Sequence, residues 1–239
     1  MPSGRWLTEL ERSPESALVS FPEGQSHDPS IWHSGHPNRE MGRDFGLALM
    51  DLAGLKVPQS LRRRLAEYAL PLLTSSLESW PDDVPAGQGK GYALWLLDRK
   101  PEALAAFEQT LAAAPRREEA LVYAAAVAAQ LGQTDSAIKL WRRAVDVNPW
   151  SPRSHYELAK LLAHDHRWPE ALAQVEKALD LDPFQLEAQL LRIECHLELG
   201  HTEQAGKEFD DVVWMAPEKA RDLNRWFDER KARARIKDR

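Results

Sequence analysis

The chain has 239 residues, 43% hydrophobic and 28% charged, a folded-protein composition whose net charge of −6 argues against a general nucleic-acid binder. Its single cysteine, Cys195, excludes an internal disulfide and a multi-cysteine metal site, and the lack of CxxCH excludes covalent haem attachment within these residues. No stretch of about 18 apolar residues occurs and the first residues hold no apolar h-region, so neither a membrane span nor an export signal is expected.

Residues 1–37 carry five of the sixteen prolines, Pro2, Pro14, Pro22, Pro29 and Pro37, and keep no sustained period. They are expected to be loop-rich, with a short helix around Trp6, Leu7 and Leu10 and with Trp6, Val19, Phe21 and Trp32 wrapping the helices that follow. Three imidazoles (His27, His33, His36) and Asp28 fall within ten residues here. Such a set has the ligand types for a divalent metal or a haem iron, but the spacing fits no zinc motif. The reading taken is a polar loop, and no cofactor is expected.

Residues 38–83 read as a divergent first helical hairpin. In NREMGRDFGLALMDLAG (38–54), Asn38 suits an N-cap, Met41, Phe45, Leu49 and Leu52 make an apolar stripe, and Gly54 a stop. A second helix over about 59–79 is expected to be kinked or split at Pro71.

From there a ruler governs the chain. Pro81, Pro115, Pro149, Pro183 and Pro217 stand 34 residues apart, and twelve residues before each lies Ala69, Ala103, Ala137, Ala171 or Ala205. With each proline near a repeat end, the repeats are 50–83, 84–117, 118–151, 152–185 and 186–219. Four residues beyond each alanine comes Leu73, Phe107, Trp141, Val175 or Phe209. Further apolar or small residues follow at offsets 7 and 8, as in Ala144–Val145 and Ala178–Leu179, so these positions trace one helix face. A small alanine lets two helix backbones approach closely. The proline lacks an amide and ends the second helix. Between the two helices of a repeat, Asp98, Gly132, His166 and Gly200 again stand 34 apart, at a position that favours the left-handed backbone. That gives His166 a structural role.

The repeats span 84–217 as four units; in the last, Arg192 and His196 fall at positions that are usually buried. Cys195 and His196 are about 100° apart around one helix and cannot form a dyad; Cys195 reads as a packed side chain, and His155 as a residue packed against a neighbouring helix. Residues 218–239 follow as a closing helix with Ala220, Leu223, Trp226 and Phe227 on one side, ending in a basic tail. Residues 230–239 carry a net charge of +5, which leaves −11 on the rest. That tail suits a helix C-terminus and solubility.

The alanine/proline grid, with LGQTDSAIKLWRRAVDVNP (131–149) and HRWPEALAQVEKALDLDP (166–183), closely resembles the tetratricopeptide repeat family. The resemblance covers 84–217 well and 40–83 loosely. It implies an all-α fold, a right-handed α-solenoid of antiparallel helix pairs whose first helices line a concave groove. Carried over by repeat position, the groove side comprises Gln88, Tyr92, Trp95, Val122, Ala126, Gln130, Arg153, Tyr156, Lys160, His164, Leu190 and Glu194. The Lys/Asn/Lys/Arg set with which one subfamily clamps carboxylates is missing, since the groove has Lys160 and Arg153 but no asparagine. A protein or peptide partner with an apolar or helical contact surface is therefore expected.

No nucleophile elbow, phosphate-binding glycine loop or metalloprotease helix motif occurs, so the expected function is a non-enzymatic interaction scaffold. A weaker similarity, carried by REMGRDFGLALMDLA and ALPLL, is to the repeat tail of exported multihaem cytochrome proteins. It offers the alternative of an accessory domain in an electron-transfer assembly, with His27, His33 or His36 as ligands. A regulatory subunit of an enzyme is a further alternative. A native start implies a cytoplasmic protein, and a fragment of an exported one a periplasmic location. Partner identity and oligomeric state are not readable.

Overall fold

The computed structural model describes residues 36–237, and of 36–41 and 235–237 the backbone alone. The described residues contain eleven α-helices and no strand. In chain order they are α1 (His36–Gly54), α2 (Gln59–Ser79), α3 (Val84–Leu96), α4 (Lys100–Ala113), α5 (Glu118–Gln130), α6 (Thr134–Val147), α7 (Pro152–His164), α8 (Trp168–Leu181), α9 (Leu186–Glu198), α10 (Thr202–Met215) and α11 (Ala220–Lys237). A 3-10 turn, Pro217–Lys219, precedes α11. The chain divides into two compact units, Met1–Pro115 and Arg116–Arg239.

Within each unit, successive helices pack as hairpins: α1 on α2 and α3 on α4 in the first, α5 on α6, α7 on α8 and α9 on α10 in the second. The 34-residue ruler explains why. Ala69, Ala103, Ala137, Ala171 and Ala205 are each 0% exposed, so every second helix presents its smallest side chain where backbones come closest. Leu73, Phe107, Trp141, Val175 and Phe209, one turn later, are all buried.

The turn inside each hairpin is equally regular. Asp98, Gly132, His166 and Gly200 have φ of 61°, 72°, 57° and 80°. Each is followed by the same long backbone bond: Arg99 N to Leu94 O at 2.9 Å, Gln133 N to Ala128 O at 2.9 Å, Arg167 N to Leu162 O at 2.9 Å and His201 N to His196 O at 2.8 Å. These are left-handed helix caps that satisfy otherwise orphaned carbonyls.

Two details differ from the sequence-based expectation. The helix expected to be capped by Asn38 begins two residues earlier, at His36, because Pro37 fits the first turn of a helix, where its missing amide is not needed. The helix expected to kink or split at Pro71 runs unbroken from Gln59 to Ser79. Leu65, Ala69 and Leu73 are buried around the proline, and their packing offsets the lost hydrogen bond.

The closing helix packs on α9 and α10. Leu223 and Phe227 are buried, and the Phe227 ring stacks on Phe209 with centroids 4.2 Å apart. The expected loop around Trp6, Val19, Phe21 and Trp32 lies outside the described residues.

Candidate functional site

Glycines determine which face α3 of the first unit leaves outward. A Cβ on Gly91 would lie 2.6 Å from the Phe107 ring, and one on Gly87 would lie 2.5 Å from Thr110 Oγ1, so this side is pressed against α4. A Cβ on Gly89 would meet Leu47 and Leu73, each at 3.1 Å, so the other side is pressed against α1 and α2. Gln88, Tyr92 and Trp95, spaced by four and three residues, share what is left and are half-buried. The Tyr92 and Trp95 rings lie 5.8 Å apart at 39°. The helix start is fixed by Asp83, whose Oδ1 accepts from the Ala86 amide at 3.0 Å while Oδ2 accepts from Arg43 Nη1 at 3.2 Å.

In the second unit the corresponding positions fall on α5, α7 and α9. Val122 and Ala126 are half-buried and Gln130 is exposed; Tyr156 is half-buried; Arg153, Lys160 and His164 are exposed. The Tyr156 ring lies under the Lys160 ammonium at 5.5 Å, and Lys160 also pairs with Glu157. Burial pushes the Tyr156 hydroxyl above its ordinary pKa, and the negative charges of Glu157 and Glu187 add to the shift. The phenol therefore remains a neutral donor. Arg153 and His164 flank it with no ion-pair partner among the described residues.

The last two positions are engaged by the chain itself. Glu194 pairs with Arg230 of α11 at 3.0 Å, and the Arg230 guanidinium lies 4.7 Å above the Trp226 ring. Leu190 packs into the cluster of Ile193, Phe209, Leu223 and Phe227. The closing helix thus takes the α9 stretch of this face, while α5 and α7 keep theirs. The sequence pattern gave no sign of that contact, because it depends on where α11 lies.

Arg192 and His196, expected at buried positions, both turn to Glu208 on α10. Its Oε2 accepts from Arg192 Nε at 2.8 Å, and its Oε1 accepts from Gln204 Nε2 at 2.7 Å and faces His196 Nε2 at 3.4 Å. His196 Nδ1 lies 3.3 Å from His201 Nδ1. His155 is 2% exposed; its Nε2 donates to the Pro149 carbonyl at 3.1 Å, and its Nδ1 lies 2.9 Å from the Gln174 side-chain amide. One repeat later Gln189 Nε2 donates to the Pro183 carbonyl at 2.6 Å, the same link made by another residue type. His155 is thus a structural tie between a turn and a helix.

Cys195 is fully buried, and burial, with Glu194 beside it, pushes its thiol up to about 12. Of the N-terminal histidines, His27 and His33 lie outside the described residues, and His36 contributes only the first backbone position of α1. Among the described residues, no three His, Cys, Asp or Glu side chains converge as a metal would need. No described helix is long and apolar enough to cross a membrane.

A sequence profile described as tetratricopeptide repeat matches residues 89–149, 124–185 and 156–220, together more than half of the chain. No curated protein matches by sequence. Among solved structures, a crystal structure of MamA protein is similar over 77% of this chain and 94% of its own, at 15% identity and a TM-score of 0.65. The MamA RS-1 structure aligns over 74% of this chain and 97% of its own, at 21% identity and a TM-score of 0.62. A MamA MSR-1 structure gives 80%, 98%, 18% and 0.62 for the same four measures. At these identities the likeness is one of fold: an all-α solenoid of antiparallel helix pairs.

Proposed function

Because the chain belongs to the tetratricopeptide repeat family, we propose that it is a non-enzymatic scaffold for protein–protein interaction, each unit holding a peptide or partner domain on the outward face of its own first helices. One observation carries this reading. Gln88, Tyr92 and Trp95 on α3, and Val122, Ala126 and Tyr156 on α5 and α7, are half-buried, while Gly91, Ala93, Leu121, Ala125, His155 and Leu158 beside them are buried. Aromatic and apolar groups kept accessible by a rigid support lose little entropy on binding, which favours them as anchors.

Anchoring falls to Tyr92, Trp95, Val122 and Tyr156, and orientation to Arg153, Lys160 and Gln130. His164 adds an exposed imidazole at the end of α7. Leu190 and Glu194, already engaged by α11, serve the partner only at the edge of the surface. A mixed face of this kind suits an apolar or helical segment carrying acidic residues near Arg153 and Lys160.

Replacing Tyr92 and Trp95 together with alanine tests the proposal. Proteins retained from the native host by the wild-type chain are expected to be lost, with the helical circular dichroism and thermal transition nearly unchanged. Undiminished retention by that variant contradicts the reading.

A further inference from the structure

The second unit also exposes aromatic rings at the turns between repeats. Trp150 and Phe184 each follow a repeat proline, and they are 77% and 82% exposed. Both turns are held alike: the Trp150 amide donates to Asn148 Oδ1 at 3.1 Å, and the Phe184 amide donates to Asp182 Oδ1 at 3.3 Å. Asn148 is itself anchored, its Nδ2 donating to Glu118 Oε1 at 2.7 Å. The indole of Trp150 is thus presented to solvent on a braced turn, where folding has no use for it.

Trp150 lines an open cleft of about 540 Å3 together with Pro149, Leu181, Asp146, Asp180 and Lys177. His155 also lines it, but both its ring nitrogens already face Pro149 and Gln174. Neither Asp146 nor Asp180 has an ion-pair partner among the described residues, and two carboxylates outweigh the single Lys177 ammonium. The cleft therefore combines an exposed π-face, an apolar wall and excess negative charge. A cation is attracted to the ring by its quadrupole and to the carboxylates by charge. A planar guanidinium meets both at once, stacking on the indole while its N–H fork reaches a carboxylate.

From this cleft we infer that the second unit has a separate binding site for an arginine side chain, presented by a basic segment of a protein partner. One repeat later, 34 residues beyond Asp146, Trp150, Lys177 and Asp180, the equivalent positions hold Asp180, Phe184, Asp211 and Trp214; Phe184 and Trp214 are exposed, and Asp211 has no ion-pair partner among the described residues. A segment with several arginines can thus engage successive stations, which adds affinity through linkage.

The test titrates the full chain with a ten-residue peptide of alternating arginine and serine, against the same peptide with citrulline, the neutral isostere, for arginine. Binding is read by calorimetry. Saturable binding of the arginine peptide is expected, with no measurable binding of the citrulline one. Trp150→Ala, and separately Asp146→Asn with Asp180→Asn, should each weaken it at least tenfold. All three residues are exposed, and an unchanged melting temperature verifies folding. Tyr92→Ala with Trp95→Ala should bind the peptide as the wild type does, which separates this site from the proposed groove. Equal weakening by Asp135→Asn with Asp228→Asn, two exposed acids outside the cleft, would reduce the binding to net charge and overturn the inference. So would citrulline binding as well as arginine.

Discussion

Single residues settle several questions of chemistry here. Cys195 has the only thiol in the chain, and its burial in an apolar helix interface, not its redox chemistry, explains it. The folded state holds the thiol neutral up to about pH 12, above the ordinary thiol range. Its contribution to stability is therefore fully present below the unfolded pKa of about 9 and is lost as pH rises from there toward 12. A disulfide reagent at pH 8 should leave the native chain unlabelled and label one thiol per chain after denaturation; rapid native labelling would contradict the packing. Asp98 and Gly132 act through the backbone, as both occupy left-handed caps. Gly132→Ala should lower stability by about 1 kcal/mol in urea titration, and Asp98→Gly should raise it by ~0.5–1 kcal/mol, since glycine bears no steric penalty there. The surface pair Asp98–Lys100 lost in the second variant is worth little.

At the scale of helices, small residues do two jobs that the sequence alone does not separate. Gly91 exists for close packing, because a methyl group there would lie 2.6 Å from the Phe107 ring. Gly206, in α10, has nothing within 4 Å of where its Cβ would be. Gly91→Ala should therefore cost about 1–3 kcal/mol by overpacking, while Gly206→Ala should add ~0.5–1 kcal/mol through helix propensity. Thermal unfolding of the two variants should shift in opposite directions. The helix pairs themselves were legible in the sequence, since alanine, large apolar residue, left-handed cap and proline repeat at one period, each demanded by backbone geometry. Helix beginnings were less so. Pro37 and Pro71 behave differently from the simplest rule because packing and position within a helix decide what a missing amide costs. The ties that read least well join residues far apart in sequence: Arg43 to Asp83, Asn148 to Glu118, and Arg192 and His196 to Glu208. A local pattern contains no information about such pairs, although polar Arg192 and His196 at buried positions signalled that a partner was needed.

For the whole molecule, the family and fold followed from periodicity, whereas the proposed binding surface followed only as a set of repeat positions. Accessibility refines that set. Tyr92, Trp95 and Tyr156 are half-buried, while α11 draws Leu190 and Glu194 into the closing contacts. The exposed Trp150 and Phe184 were visible as letters after each proline, but their exposure depends on the turn that holds them. A photo-activatable phenylalanine analogue placed singly at Tyr92, Tyr156, Lys139 or Glu176, and irradiated in the native host, measures most directly which face meets a partner. Lys139 and Glu176 are exposed on second helices and serve as the comparison. The scaffold account predicts covalent protein adducts from Tyr92 and Tyr156 and few or none from Lys139 and Glu176; adducts from the second-helix positions alone would contradict it.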